Sequence, residues 1–309
     1  MTLSPGLVPD PGPKAKATLA GSGPLASLVR ELLLSRSAVI GGTVLMLVIL
    51  ACVVAPHLWG LAPNDTDLMT RFLPPVWSEG GRWSHPLGTD NLGRDVLARI
   101  LAGGQVSLLV AVCTVLVAVS VGMVLGTLAG YYGGRVDSLI MRVGDLFLAY
   151  PFMLLTISVI AILGPSLPIL ILVLALADWV TYARTVRGSV MSVKQREYVV
   201  AAHSIGTRDA DILRHHILPN VLSPVLVLGT VRAANYIVWE SGLSFLGMGV
   251  PPPTPTWGMM LSEGRDFILD AWWLATLPGI AIMLTILSLN LLGDGLRDAL
   301  DPRLKGNRR

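Results

Sequence analysis

From Ala38 to Pro56 the chain runs nineteen residues without a charge, and Val106 to Gly130 does so for twenty-five. A helix that is apolar on every side must be buried on every side. About 20 such residues match the hydrocarbon thickness of a bilayer. Four further stretches have the same character with few interruptions. They are Leu139 to Leu163 around Pro151, Ser166 to Ala183, Val221 to Trp239 with Pro224 and Arg232 inside it, and Ala271 to Gly293. The expected fold class is therefore an all-α membrane protein with six transmembrane helices. At 53% hydrophobic, 14% charged and mean hydropathy +0.66, the 309 residues carry too much apolar surface for a soluble domain. The first run is long for a signal-peptide core and lacks a small-x-small cleavage site, so it reads as a retained span.

The intervening segments set the organisation. Residues 1–29, rich in proline, glycine, serine and alanine, form a disordered cytoplasmic tail, and 30–58 hold the first span. An extracytoplasmic loop at 59–105 precedes a five-span core at 106–296, which includes a soluble loop at 194–219; a basic cytoplasmic tail, 297–309, closes the chain. With the amino terminus inside, seventeen lysines and arginines fall in cytoplasmic segments, counting Arg142 in the first turn of its span, and five in outer ones, with Arg232 deep within a span. The positive-inside rule thus puts both termini and the soluble loop in the cytoplasm of a multi-pass protein of the plasma or inner membrane. That topology accounts for the net charge of +3, and no basic-aromatic pattern argues for nucleic acid. Cys52 and Cys113 lie inside uncharged runs, as small apolar groups rather than metal ligands. His215 and His216 are adjacent, about 100° apart on a helix, and make a poor metal pair. Asp90, Arg94 and Asp95 alternate in sign beside Gly88 and Gly93, the pattern of a solvated turn and helix start rather than a catalytic group. There is no G-x-x-x-x-G-K-[ST] phosphate loop.

The soluble loop, KQREYVVAAHSIGTRDADILRHHILP from Lys194 to Pro219, is helix-patterned. Tyr198, Ala201, Ala202 and Ile205 fall at i, i+3, i+4 and i+7 and form a small apolar stripe. Gly206 breaks that helix, Thr207 is placed to cap a second one, and Pro219 is placed to end it. Two short helices joined at a glycine make a compact knob that another protein can approach closely.

At these residues the chain resembles the permease subunits of ABC importers, whose cytoplasmic loop reads E-A-A, three residues, G, nine residues, I-x-L-P. Ala201, Ala202, Gly206, Leu218 and Pro219 match; Val200 stands at the glutamate and His216 at the isoleucine. Three more stretches, HPLGTDNLGRDVLARI from His85, FLGMGVPPPTPTWG from Phe245 and LNLLGDGLRDALDPR from Leu289, are similar to the oligopeptide and dipeptide branch, specifically its second, C-type permease. The resemblance implies the type I ABC importer permease fold with a two-helix coupling loop. It implies contact with the ATPase through Tyr198, Ala201, Ala202, Ile205, Gly206, Leu218 and Pro219. It also implies a homologous partner permease, two ATPase subunits that bind ATP and Mg, an extracytoplasmic substrate-binding protein, and transport by alternating access. This chain itself is then a non-catalytic subunit without a cofactor. Peptides are the implied cargo, with nickel chelates or glutathione as the family's alternatives.

Charges inside spans mark the candidate path. Asp178 and Arg232 each lie twelve residues into a span, about 18 Å deep, so both sit near the bilayer middle. They are expected to compensate each other beside the translocation path, with Glu240 a third candidate. The same residues, with Asp145, motivate the alternative of an ion-coupled secondary transporter. Pro251, Pro252, Pro253 and Pro255 predict a stiff, non-helical outer cap over 245–258.

Overall fold

The computed structural model describes residues 24–60 and 62–300, so most of the two expected tails lies outside it. The described chain is helical from its start: α1 spans Pro24–Leu34, which moves the end of any amino-terminal tail to before residue 24. Ser35 caps α2, Arg36–Trp59, accepting from the Ala38 amide at 3.5 Å. The other helices are α3 (Val96–Tyr132), α4 (Gly134–Ala149), α5 (Phe152–Leu163), α6 (Leu167–Lys194), α7 (Glu197–Ser204), α8 (Asp209–Ile212), α9 (Leu218–Phe245), α10 (Trp257–Arg265) and α11 (Trp273–Leu300). Five of these segments are long and apolar enough to cross a membrane: α2, α3, α6, α9 with the turns before it, and α11. The pair α4 and α5, bent by 85° between them, passes the same test only when taken together, as one broken span that would be the sixth.

Four boundaries differ from the sequence expectation, each for a local reason. The segment expected as an outer loop to residue 105 already turns helical at Val96, where the Asp95 carboxylate accepts from the Ala98 amide at 2.8 Å and caps α3. Pro151 breaks its span instead of kinking it, because Tyr150 before it is extended at φ −96°, ψ 138°. Beyond Ala183, α6 continues for three more turns, held by buried Val186, Val190 and Val193. Pro219 does not end a helix either: it sits in the first turn of α9, where its missing N–H costs nothing.

The bundle is organised on α3 and α6. Gly122, Gly126 and Gly130 repeat every four residues along one face of α3. A Cβ at each would lie 2.4 Å from Tyr182 Cβ, 2.5 Å from the Ala183 carbonyl and 2.8 Å from the Arg187 carbonyl respectively. The two helices therefore meet backbone to backbone, as small-xxx-small faces do in membranes. On α6, Arg187 holds Asp137 of α4 through two bonds of 2.5 Å. The loop between α2 and α3 folds down on the end of the bundle away from α7 and α8: Trp273 of α11 donates to the Thr89 carbonyl at 3.2 Å, and Phe72 meets Phe267 at 5.0 Å between centroids. Residues 246–256 form no helix, as the prolines require, and Thr256 then caps the short α10, which the sequence reading did not anticipate.

Candidate coupling knob and mid-membrane polar cluster

The knob is α7, a tight turn and α8. At its turn the Gly206 amide donates to the His203 carbonyl at 3.0 Å and the Thr207 amide to the Ala202 carbonyl at 3.1 Å, with Gly206 at φ +81°. This is the Schellman stop that a left-handed glycine permits. Thr207 is part of that stop and does not cap α8, whose N-cap position is Arg208 without a side-chain bond. The apolar stripe divides. Ala202 turns inward with Val199, whereas Tyr198, Ala201, Ile205 and Gly206 are exposed, Ile205 at 83%. Tyr198 is also used internally: its ring lies 5.9 Å from that of His216, and its hydroxyl accepts from Asn220 at 3.3 Å. Leu218 is half-buried and Pro219 exposed at the knob's other end. A single wide π-turn, Leu213–Ile217, runs α8 into α9, so the second helix of the knob continues into a span rather than forming a separate element.

Asp178 of α6 and Arg232 of α9 come together, Arg232 Nε lying 3.5 Å from Asp178 Oδ2. Thr181 donates to Asp178 Oδ1 at 2.8 Å, Tyr236 donates to Oδ2 at 2.8 Å, and Arg232 Nη2 donates to Thr181 Oγ1 at 3.2 Å. The carboxylate is buried while the guanidinium side chain keeps 23% of its surface, lying 5.9 Å from the Trp239 ring centre. This arrangement satisfies a buried charge and leaves its counter-ion at the edge of the bundle. Glu240 does not join them. It is fully buried two turns further along α9, accepting from Ser107 of α3 at 3.0 Å and from Ser244 at 2.7 Å, so it ties helices together and reaches no open surface. Asp145 is exposed and paired with Arg184 at 2.6 Å, away from the core.

The turn read as solvated is in fact a buried ionic network. Asp90 accepts from Arg94 at 2.6 Å, while Arg94 and Arg99 reach Glu263 of α10 at 3.2 and 2.8 Å, with Arg99 only 1% exposed. The partner on α10 is 164 residues away from Arg99, so local pattern carries no sign of it. Among the described residues no His, Cys, Asp and Glu cluster could hold a metal ion. Tyr131, Thr181 and Tyr236 were also missed; a polar residue one turn from a charge inside an apolar run is the signal for the last two.

A bundle of membrane-length helices with an exposed apolar knob at one end and an ion pair between two of its helices has the build of a transport subunit. Residues 122–306 match the family described as binding-protein-dependent transport system inner membrane component, and residues 23–75 match the N-terminal TM domain of oligopeptide transport permease C. The chain belongs to this family of ABC importer permeases, multi-pass inner-membrane proteins that are not catalytic themselves. A putative peptide transport system permease protein of Brucella suis is 44% identical over 285 residues, covering 92% of this chain and 94% of that one. The di/tripeptide transport system permease of Pseudomonas aeruginosa is 42% identical, covering 86% and 88%. The glutathione transport system permease of an Escherichia coli strain is 44% identical, covering 85% and 86%. A chain from inward-facing MetNI, a methionine ABC transporter, superposes with a TM-score of 0.52 over 66% of this chain and 97% of its own length; at 14% identity it shows the fold alone.

Proposed function

We propose that this chain is one of two homologous membrane subunits of an ATP-driven peptide importer, with its knob docked on an ATPase subunit. The observation that carries the reading is the exposed face Tyr198, Ala201, Ile205 and Gly206 on a knob formed between the end of α6 and the start of α9. Apolar residues at a water-facing helix end are unfavourable unless covered, and small ones admit a close partner. The charge asymmetry of the sequence puts this end in the cytoplasm, where ATP and Mg are bound by the two ATPase subunits. An extracytoplasmic binding protein delivers the cargo on the opposite side. The names of the relatives favour short peptides as that cargo, with glutathione or nickel chelates as competitors for the same uptake assay. Asp178 and Arg232 line the path between the two permeases, because a half-exposed guanidinium at mid-bilayer depth must face protein or water rather than lipid.

Gly206→Val tests the coupling role. A β-branched residue at φ +81° is strained whatever the surrounding space, so the knob's stop fails while the spans remain intact. The expected result is a protein that inserts and copurifies with its partner permease but loses substrate-stimulated ATP hydrolysis and uptake. Full stimulation in Gly206→Val would overturn the reading, and uptake that persists without any ATPase subunit would favour the ion-coupled alternative. Val200→Glu, which restores the family pattern at an exposed position, should be tolerated.

A further inference from the structure

The knob has three attachments to the membrane helices, and only two of them follow the backbone. Towards α6 the connection is Gln195 and Arg196, both exposed, and towards α9 it is the π-turn, with the Tyr198 hydroxyl accepting from Asn220 at 3.3 Å beside it. The third is Tyr131, in the last turn of α3 and remote in sequence. Its hydroxyl donates to Asp209 Oδ1, on the first residue of α8, at 2.6 Å. Its carbonyl accepts from Lys194 Nζ, at the end of α6, at 2.5 Å, and the same ammonium lies 5.1 Å from the centre of its ring. Tyr131 is thus gripped at both ends: a lysine caps one of the orphan carbonyls of α3, and a carboxylate placed favourably at a helix start holds the phenol. The ring itself is 5% exposed and belongs to one apolar cluster with Val190 and Val193 of α6, Val199 of α7 and Ile212 of α8.

Behind Tyr131, the glycine face of α3 locks that helix to α6, which carries Asp178. Arg232, on the other side of the ion pair, stands on α9, which the knob reaches through the π-turn and one longer bond, from Asn220 to the Tyr198 hydroxyl at 3.3 Å. The knob is therefore held by the short, charge-assisted Tyr131–Asp209 bond to the slab that carries the carboxylate, and by a widened, less regular turn and a longer neutral hydrogen bond to the helix that carries the guanidinium. From this we infer that Tyr131 is a positioning residue for energy coupling: its bond to Asp209 makes the knob move with α3 and α6, so that a displacement imposed on the knob shifts Asp178 relative to Arg232. This inference rests on the reading of the knob as the ATPase contact.

The test uses the full complex, both permeases, both ATPases and loaded binding protein, in proteoliposomes, with uptake and ATP hydrolysis measured together. Tyr131→Phe removes one oxygen. It should leave assembly and basal hydrolysis unchanged and lower peptide taken up per ATP by about tenfold, within the range of measured couplings between sites. Asp209→Ala breaks the same bond from an exposed position and should match it, even if the tyrosine variant assembles poorly. Asp209→Asn keeps an acceptor oxygen and should restore most of the coupling. The Tyr131→Phe, Asp209→Ala double variant should be no worse than either single one. A purely structural contact would instead lower assembly and leave the uptake-to-hydrolysis ratio unmoved. Docking is checked separately by cross-linking Ala201→Cys to the ATPase subunit. If that cross-link forms and Tyr131→Phe retains the wild-type ratio, or if the two single effects add, the latch is overturned alone. If the cross-link does not form, the docking reading is overturned and the latch with it.

Discussion

Replacing Gly126 with alanine adds one methyl group where α3 crosses α6. That carbon would stand 2.5 Å from the Ala183 carbonyl oxygen, 2.8 Å from Val186 Cβ and 3.0 Å from Ala183 Cα. Heavy atoms of this kind rest at about 3.5 Å, so the helices must separate by roughly 1 Å at the crossing. Two of the three neighbours are helical backbone and cannot rotate away. Overpacking of this sort costs about 1–3 kcal/mol, a factor of roughly 5 to 160 in the folding equilibrium. Gly188 supplies the control, since it lies in α6 with nothing within 4 Å of an added Cβ. There alanine should gain up to about 1 kcal/mol from helix propensity. Thermal unfolding of the purified complex in detergent, followed by tryptophan fluorescence, reads both. Gly126→Ala should melt lower and Gly188→Ala level or higher; a Gly126→Ala protein as stable as wild type would refute the close crossing and the slab built on it.

Removing Arg232 alone strands the buried Asp178 carboxylate, and breaking a buried pair in this way costs about 3–5 kcal/mol. Arg232→Gln should therefore lower the melting temperature and uptake more than the Asp178→Asn, Arg232→Gln double variant does, and independent effects would show that the two do not interact. At the outer end, Arg99→Met should release loop 62–95 from α10, because it removes the buried partner of Glu263. Faster trypsin cleavage at the exposed Arg82 would report it, and an unchanged cleavage rate would show that the network does not hold the loop.

The spans were legible because charge-free runs of bilayer length permit little else, and Gly206 was legible because a helix stop at that position calls for positive φ. What was misread depended on partners far away in sequence. Arg99 and the residues around it look like a polar loop until Glu263, on α10, is brought against them. Pro151 was recognised as a disturbance, but whether a proline kinks a span or divides it depends on what its neighbours pack against. Equal depth made Asp178 and Arg232 candidates for a pair without making their helices neighbours, and the pair, like Thr181 and Tyr236, which complete the carboxylate's bonds, became evident only once α6 and α9 were side by side. Glu240 looked like its neighbour Arg232 in sequence, an ionisable group in an apolar run. Its hydroxyl partners Ser107 and Ser244 set it apart, and one of these lies on another helix.

The π-turn at Leu213–Ile217 acts on angular phase. Buried Ile217, Val221 and Val225 follow one another at intervals of four, but the buried residue before them is Ile212, five positions back. An α-helix turns about 100° per residue, so a regular helix could not keep both sets on one side. The extra residue resets the phase, letting the knob and the span each present their own correct face. Deleting one residue from this turn would give a more regular helix and an out-of-phase one: with the span fixed by its packing, Asp209 would be swung by about 100° away from Tyr131. The irregular turn thus sets the angular phase between the knob and the span.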